Sequence, residues 1–213
     1  MENFYLNNKL LRSLVKPGAL FPIDVDYNTN YFPKFVFFSD NNSTDSQYVE
    51  TENRKHIERL RNNEFYFLQV LLHSEFEDGN SNEAIAYIKE QLSINSVATS
   101  TWMAEFFVKN QGRGNDGIEI LYGLLRIIAY LNDRDCFDYI QGTLQLILQV
   151  ALKNNAMYLQ EAALMVIESW RSKDGLQLLK EVTFENPYIQ KYADMIKNEL
   201  TSELEDTSTC LSE

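Results

Sequence analysis

Tyr158-Leu159-Gln160-Glu161-Ala162-Ala163-Leu164-Met165-Val166 and, thirty residues on, Tyr188-Ile189-Gln190-Lys191-Tyr192-Ala193-Asp194-Met195-Ile196 are two copies of one pattern. Tyr, Gln, Ala and Met coincide, and Leu/Ile and Val/Ile are conservative exchanges. A period of about thirty residues is that of helix-pair repeats, in which each pair buries its apolar face only by stacking on the next. In the first copy Leu159, Ala162, Ala163, Val166, Ile167 and Trp170 recur at helical spacing and make one stripe. Small Ala162 and Ala163 let a neighbouring helix come close. Ser172-Lys173-Asp174-Gly175 then reads as a turn, and Leu176, Leu178, Leu179 and Val182 as a shorter partner helix. Asn186-Pro187 restarts the pattern with a capping residue followed by proline at the first helical position.

Glu161-Ala162-Ala163-Leu164-Met165-Val166-Ile167-Glu168-Ser169-Trp170, the short turn, and Gly175-Leu176-Gln177-Leu178-Leu179-Lys180-Glu181 resemble the two helices of a HEAT repeat. The resemblance is good from 156 to about 200, faint from 82 to 153 and absent from 1 to 53. It implies a short α-solenoid and binding along an extended surface, without naming a partner. Tyr192 departs from the pattern, standing where Ala162 stands in the first copy. No partner helix is expected after Leu200, so the second copy reads as a terminal half-repeat closing the stack.

The helical period extends upstream to about residue 54. Ile57, Leu60, Phe67, Leu68 and Leu71 mark a first helix, Ala84, Ile85, Ile88 and Leu92 a second, and residues 98 to 110 a third. Ile118, Leu121, Tyr122, Leu125, Ile128 and Ala129, widened by Ile120, Leu124 and Ile127, make a fourth. So broad an apolar face suits a central helix packed on several sides. Phe137, Ile140, Leu144, Ile147 and Ala151 make a fifth. Asp78-Gly79-Asn80 reads as a turn, and the short connections favour antiparallel neighbours.

Residues 18–53 differ, with one basic residue, Lys34, against six acids. Phe21, Tyr27, Tyr31, Phe32, Phe35, Phe37 and Phe38 crowd there, and Pro17, Pro22 and Pro33 forbid a long helix. Lys34 to Phe38 fits a short strand with Phe21 to Tyr27 as its antiparallel partner, and Asp40 to Ser46 reads as a polar loop. The expected organisation is therefore a mainly α chain. Residues 1–53 form an aromatic cap with a small extended or β segment, 54–203 a stack of antiparallel helix pairs, and 204–213 a disordered acidic tail.

The 213 residues include 31 acids against 19 bases, a formal charge of −12. Nucleic-acid affinity draws on clustered Lys and Arg, and anionic membranes repel acidic surfaces, so neither is an expected partner. Ile118 to Leu131 is too short to span a bilayer and carries Glu119 and Arg126. Cys136 and Cys210 make no disulfide framework, and Met1 to Leu6 with Lys16-Pro17-Gly18 do not read as a secretory signal. A cytoplasmic location is the expectation.

Motifs of catalysis are not evident. Gly112-Arg113-Gly114-Asn115-Asp116-Gly117 matches GxGxxG, but a dinucleotide fingerprint needs a preceding strand, and Thr101 to Val108 reads as a helix. Asp116 and Glu119 read instead as a capping pair for the next helix. His56 and His73, with Glu58, Glu75 and Glu77 near in sequence, show no metal-ligand spacing. No enzyme activity, cofactor or metal is expected. If helices alternate in direction, Glu75, Glu77, Asp78, Asp116 and Glu185 share one acidic edge, which would attract a basic protein. The favoured reading is a non-catalytic protein-binding module, an inhibitor or immunity-type protein that neutralises a basic toxin or nuclease. The other reading is an enzyme or small-ligand receptor with its pocket between the N-terminal segment and the first helices.

Overall fold

The computed structural model describes residues 43–76, 82–131 and 134–209. These residues hold nine α-helices, and none of them lies in a strand. They are α1 (Ser43–Asn62), α2 (Glu64–His73), α3 (Glu83–Ile94), α4 (Ser96–Gln111) and α5 (Gly114–Ala129), then α6 (Arg134–Leu152), α7 (Met157–Trp170), α8 (Lys173–Lys180) and α9 (Pro187–Thr209). The chain is thus mainly α. Its backbone divides into Met1–Ser46 and Gln47–Glu213, and the architecture below is that of the second unit. The strand expected at 34–38, its partner at 21–27 and the turn at 78–80 lie outside the described residues.

Three boundaries differ from the sequence reading. Residues 43–46, read by composition as the end of a polar loop, form the first turn of α1. The first apolar-periodic run is two helices, broken at Asn63, whose carbonyl takes the Phe67 amide and starts the next ladder. The Asn63 side chain makes no capping bond there, so the break is one of backbone bonding alone. Helix α9 continues to Thr209, into the stretch assigned to the acidic tail. The Arg171 guanidinium pairs with Glu199 and Glu203 and holds this helix past Leu200.

The helices sort into two layers. In one, α2, α5, α7 and α9 each pack on the next; in the other, α4 packs on α6 and α6 on α8. Helix α1 lies beside α4 through Asn53 and Asn95, His56 and Thr99, and Arg61 and Glu105. These partners advance together along both helices, so α1 and α4 run parallel. Asn186 with Met157, and Glu199 and Glu203 with Arg171, show the same for α7 and α9. Direction therefore repeats from pair to pair while short turns reverse the chain within each pair. This arrangement is compatible with a helical repeat.

The thirty-residue pattern has a structural counterpart. Leu159 and Ile189, Ala163 and Ala193, and Val166 and Ile196 are all buried. Ala162 is buried too, whereas Tyr192 at the matching place is half-buried and its hydroxyl donates to Glu168 at 2.5 Å. The departure from a small residue thus sets a ring between α7 and α9 and ties its oxygen to a carboxylate. The broad-faced helix α5 is central as expected, touching α2, α3, α4 and α7, and its contact with α7 is the most extensive in the body. An ideal Cβ on Gly123 would lie 2.8 Å from Leu71 Cδ1, so the bare backbone there lets α2 approach α5. Phe67 meets Trp102 at 5.2 Å and Phe106 at 5.3 Å between ring centres, an aromatic core joining α2 to α4.

Candidate functional site

The residues singled out by sequence divide into core groups and surface groups. His56 is buried, and its hydrogen bonds define its tautomer. The Thr99 hydroxyl donates to the Gln91 carbonyl at 2.9 Å, so it accepts from His56 Nε2 at 3.1 Å. His56 Nδ1 then accepts from the Arg59 guanidinium. Burial, and after it the Arg59 charge, lowers the His56 pKa. A neutral imidazole with both nitrogens occupied is a structural group between α1 and α4. His73 is exposed, and its Nδ1 meets the carbonyl of Gln69 in its own helix. Among the described residues no group of three or more His, Cys, Asp and Glu is placed to hold a metal ion.

The GxGxxG stretch joins α4 to α5, so helix rather than strand precedes it. Gly114 has φ +63°, the left-handed region open to glycine. A Cβ on Gly117 would overlap the Asn110 carbonyl oxygen and come within 2.9 Å of Arg113 Cβ. Buried Asn110 donates to the Phe106 carbonyl and accepts from Arg113. The glycines thus serve a close interhelical turn. The expected capping pair does not form. Helix α5 begins at Gly114 with Arg113 at its cap and no side-chain capping bond, which leaves Asp116 inside the first turn.

The acidic edge is divided. Leu71 packs at Gly123, and the Phe76 carbonyl accepts from Arg126 at 3.1 Å, so the C-terminal end of α2 lies along the C-terminal half of α5. Exposed Glu75 belongs to that end. Asp116 and Glu185, both exposed, sit at the N-terminal ends of α5 and α9, on the opposite edge of the layer. Glu77 and Asp78 are outside the described residues.

Sequence reasoning missed the outer surface of the α5–α7–α9 layer. Tyr122 and Tyr158 meet edge to face at 5.8 Å, and Glu119 adds to the effect of burial in raising the Tyr158 pKa. Tyr192 is raised far above its ordinary value, first by burial, then by its bond to Glu168, with Glu161 contributing. Tyr188 is 62% exposed and Met195 52%. Three acids on α1, α2 and α4 have cationic partners: Glu52 with Lys55, Glu64 with Lys109 and Glu105 with Arg61. Glu119 and Glu161 make no ion pair among the described residues. The one guanidinium of α5 here, Arg126, stacks within 5.3–5.8 Å of the rings of Phe76, Tyr122 and Tyr130 and donates to both tyrosine hydroxyls. Signals of this surface exist in the sequence as Tyr and Glu on the polar sides of the stripes, but which of them meet depends on the stacking.

Among the described residues no helix is long and apolar enough to cross a membrane. Comparison with protein-family models, with curated proteins and with solved structures gives no match.

Proposed function

We propose that the chain is a non-catalytic, HEAT-like helical-repeat module that binds another protein, and that this protein is cationic. An inhibitor or immunity-type protein that neutralises a basic toxin or nuclease fits this description. The observation that carries the reading is the α5–α7–α9 surface, where Glu119 and Glu161 stand among half-exposed tyrosines without cationic partners in the described residues. The net charge of −12 acts in the same direction by steering a basic partner toward the chain. Tyrosine gives large contact area at low entropy cost, as in interface hot spots.

Affinity capture with the tagged full chain, identification of the captured protein and re-binding of that purified protein test the reading. A basic partner whose affinity falls steeply with added salt is expected. Capture of neutral or acidic proteins only, or binding indifferent to ionic strength, overturns it.

A further inference from the structure

We propose that the groove between α7 and α9 seats a cationic side chain of the partner, arginine above all, with Glu161 as its counter-ion and Tyr188 and Tyr192 as its walls. This rests on the reading of the chain as a binder of a cationic protein, and adds where the contact forms and by what chemistry.

Glu161 lies four residues from Met165 and seven from Glu168, hence on one face of α7 with both. It is half-buried and has neither hydrogen bond nor ion pair among the described residues. Its charge reaches across the groove to Tyr192 on α9. Glu168, one turn beyond Met165, already accepts from the Tyr192 hydroxyl, so Glu161 is the carboxylate left to a partner. Lys191, the base nearest on α9, adjoins Tyr192 in sequence and points about 100° away from it around the helix. With Tyr192 turned to α7, Lys191 faces outward and is exposed.

A partly desolvated carboxylate beside tyrosine rings selects its occupant. An apolar side chain would bury the charge unpaired, and an acidic one would be repelled. A guanidinium supplies a two-pronged hydrogen bond to the carboxylate and a flat cation for the rings. The same layer already holds one: Arg126 stacks on Tyr122, Tyr130 and Phe76 where α5 meets the end of α2. There the chain supplies the cation itself; at Glu161 the partner supplies it.

Titration of the isotope-labelled full chain with a hexa-arginine peptide, with hexa-citrulline as an uncharged analogue, tests the site. Amide shifts should concentrate in residues 158–168 and 188–195, and hexa-citrulline should produce none. Glu161→Gln and Tyr188→Ser should each weaken hexa-arginine binding about fivefold, while Tyr188→Phe retains it. Glu90→Gln, an equal loss of charge on exposed α3, should leave it unchanged. Melting curves equal to wild type show that the surface substitutions leave the fold intact. Salt-dependent binding that ignores Glu161→Gln, or that Glu90→Gln weakens equally, overturns this site and leaves the cationic-partner reading standing. Absence of salt-dependent hexa-arginine binding overturns both.

Discussion

His56 shows how far a single residue's role depends on what packs over it. In sequence it stands among Asn53, Arg54, Lys55 and Glu58 and looks like a solvent-facing group or a ligand. Leu60 one turn on is buried, and α4 brings Thr99 against the ring, neither of which the local composition shows. The groups facing it are Arg59 from α1, the Thr99 hydroxyl from α4 and, behind that hydroxyl, the Gln91 carbonyl from α3. Protonation would remove the Nδ1 acceptor and set an imidazolium against the Arg59 guanidinium. The folded state therefore holds the His56 pKa below its ordinary 6.5. As pH falls through 6.5, the unfolded chain binds a proton that the folded chain refuses, so its contribution is complete above that pH and lost below it. Denaturant titrations at pH 7.5 and pH 5.5, values chosen about one unit either side of the ordinary pKa, should show a larger drop for wild type than for His56→Gln. Equal drops would sink this account, whatever the variant's stability at pH 7.5.

Among the elements, the α4–α5 turn carries the clearest conflict between motif and structure. GxGxxG suggests a phosphate cradle when read as letters, yet each glycine has its own local reason or none. Gly112 has φ −89° and no atom within 4 Å of an added Cβ. Gly114 needs the left-handed region, and Gly117 touches the Asn110 carbonyl. Gly117→Ala gains about 1 kcal/mol of helix propensity but must push α4 and α5 apart against rigid backbone. Such overpacking costs about 1–3 kcal/mol or more, so net destabilisation is expected. Gly114→Ala should cost about 1 kcal/mol through backbone strain, and Gly112→Ala should be neutral or slightly stabilising. Thermal melts of the three variants check this order, and a Gly112 variant as damaged as Gly117→Ala would contradict it. Apolar periodicity located α3 to α9 well because stripes such as Leu159, Ala162, Val166 follow from burial. Starting points were less legible where no capping side chain marks them. Asn186 caps α9 through the amides of Tyr188 and Ile189 and was readable, whereas α5 starts at an uncapped glycine.

For the whole molecule, repetition is the legible part and lateral placement the illegible part. Tyr158 and Tyr188 announce the period, but Glu75 and Asp116 fall on opposite edges because α2 runs parallel to α5, a matter of stacking that charge patterns do not encode. Stacked pairs also imply that damage at one end should stay near that end, since each pair touches only its neighbours. Helix α9 supplies buried Ile189, Ala193, Ile196 and Leu200 to α7 and α8. Truncation after Asn186 removes that surface. Eight-residue α8 is too short to persist without packing and rests more on α9 than on α6 or α7. It should melt along with the deletion. Helix α7 should remain, because its largest contact is with α5. Phe67, Trp102 and Phe106 lie in α2 and α4, outside the helices that touch α9, and should keep their packing. Hydrogen exchange on the truncated chain should show protection lost over 173–180 and retained in α4 and α5. Loss of protection throughout would mean that the body folds as one cooperative block, and that the repeat sets its geometry without setting how its stability is distributed.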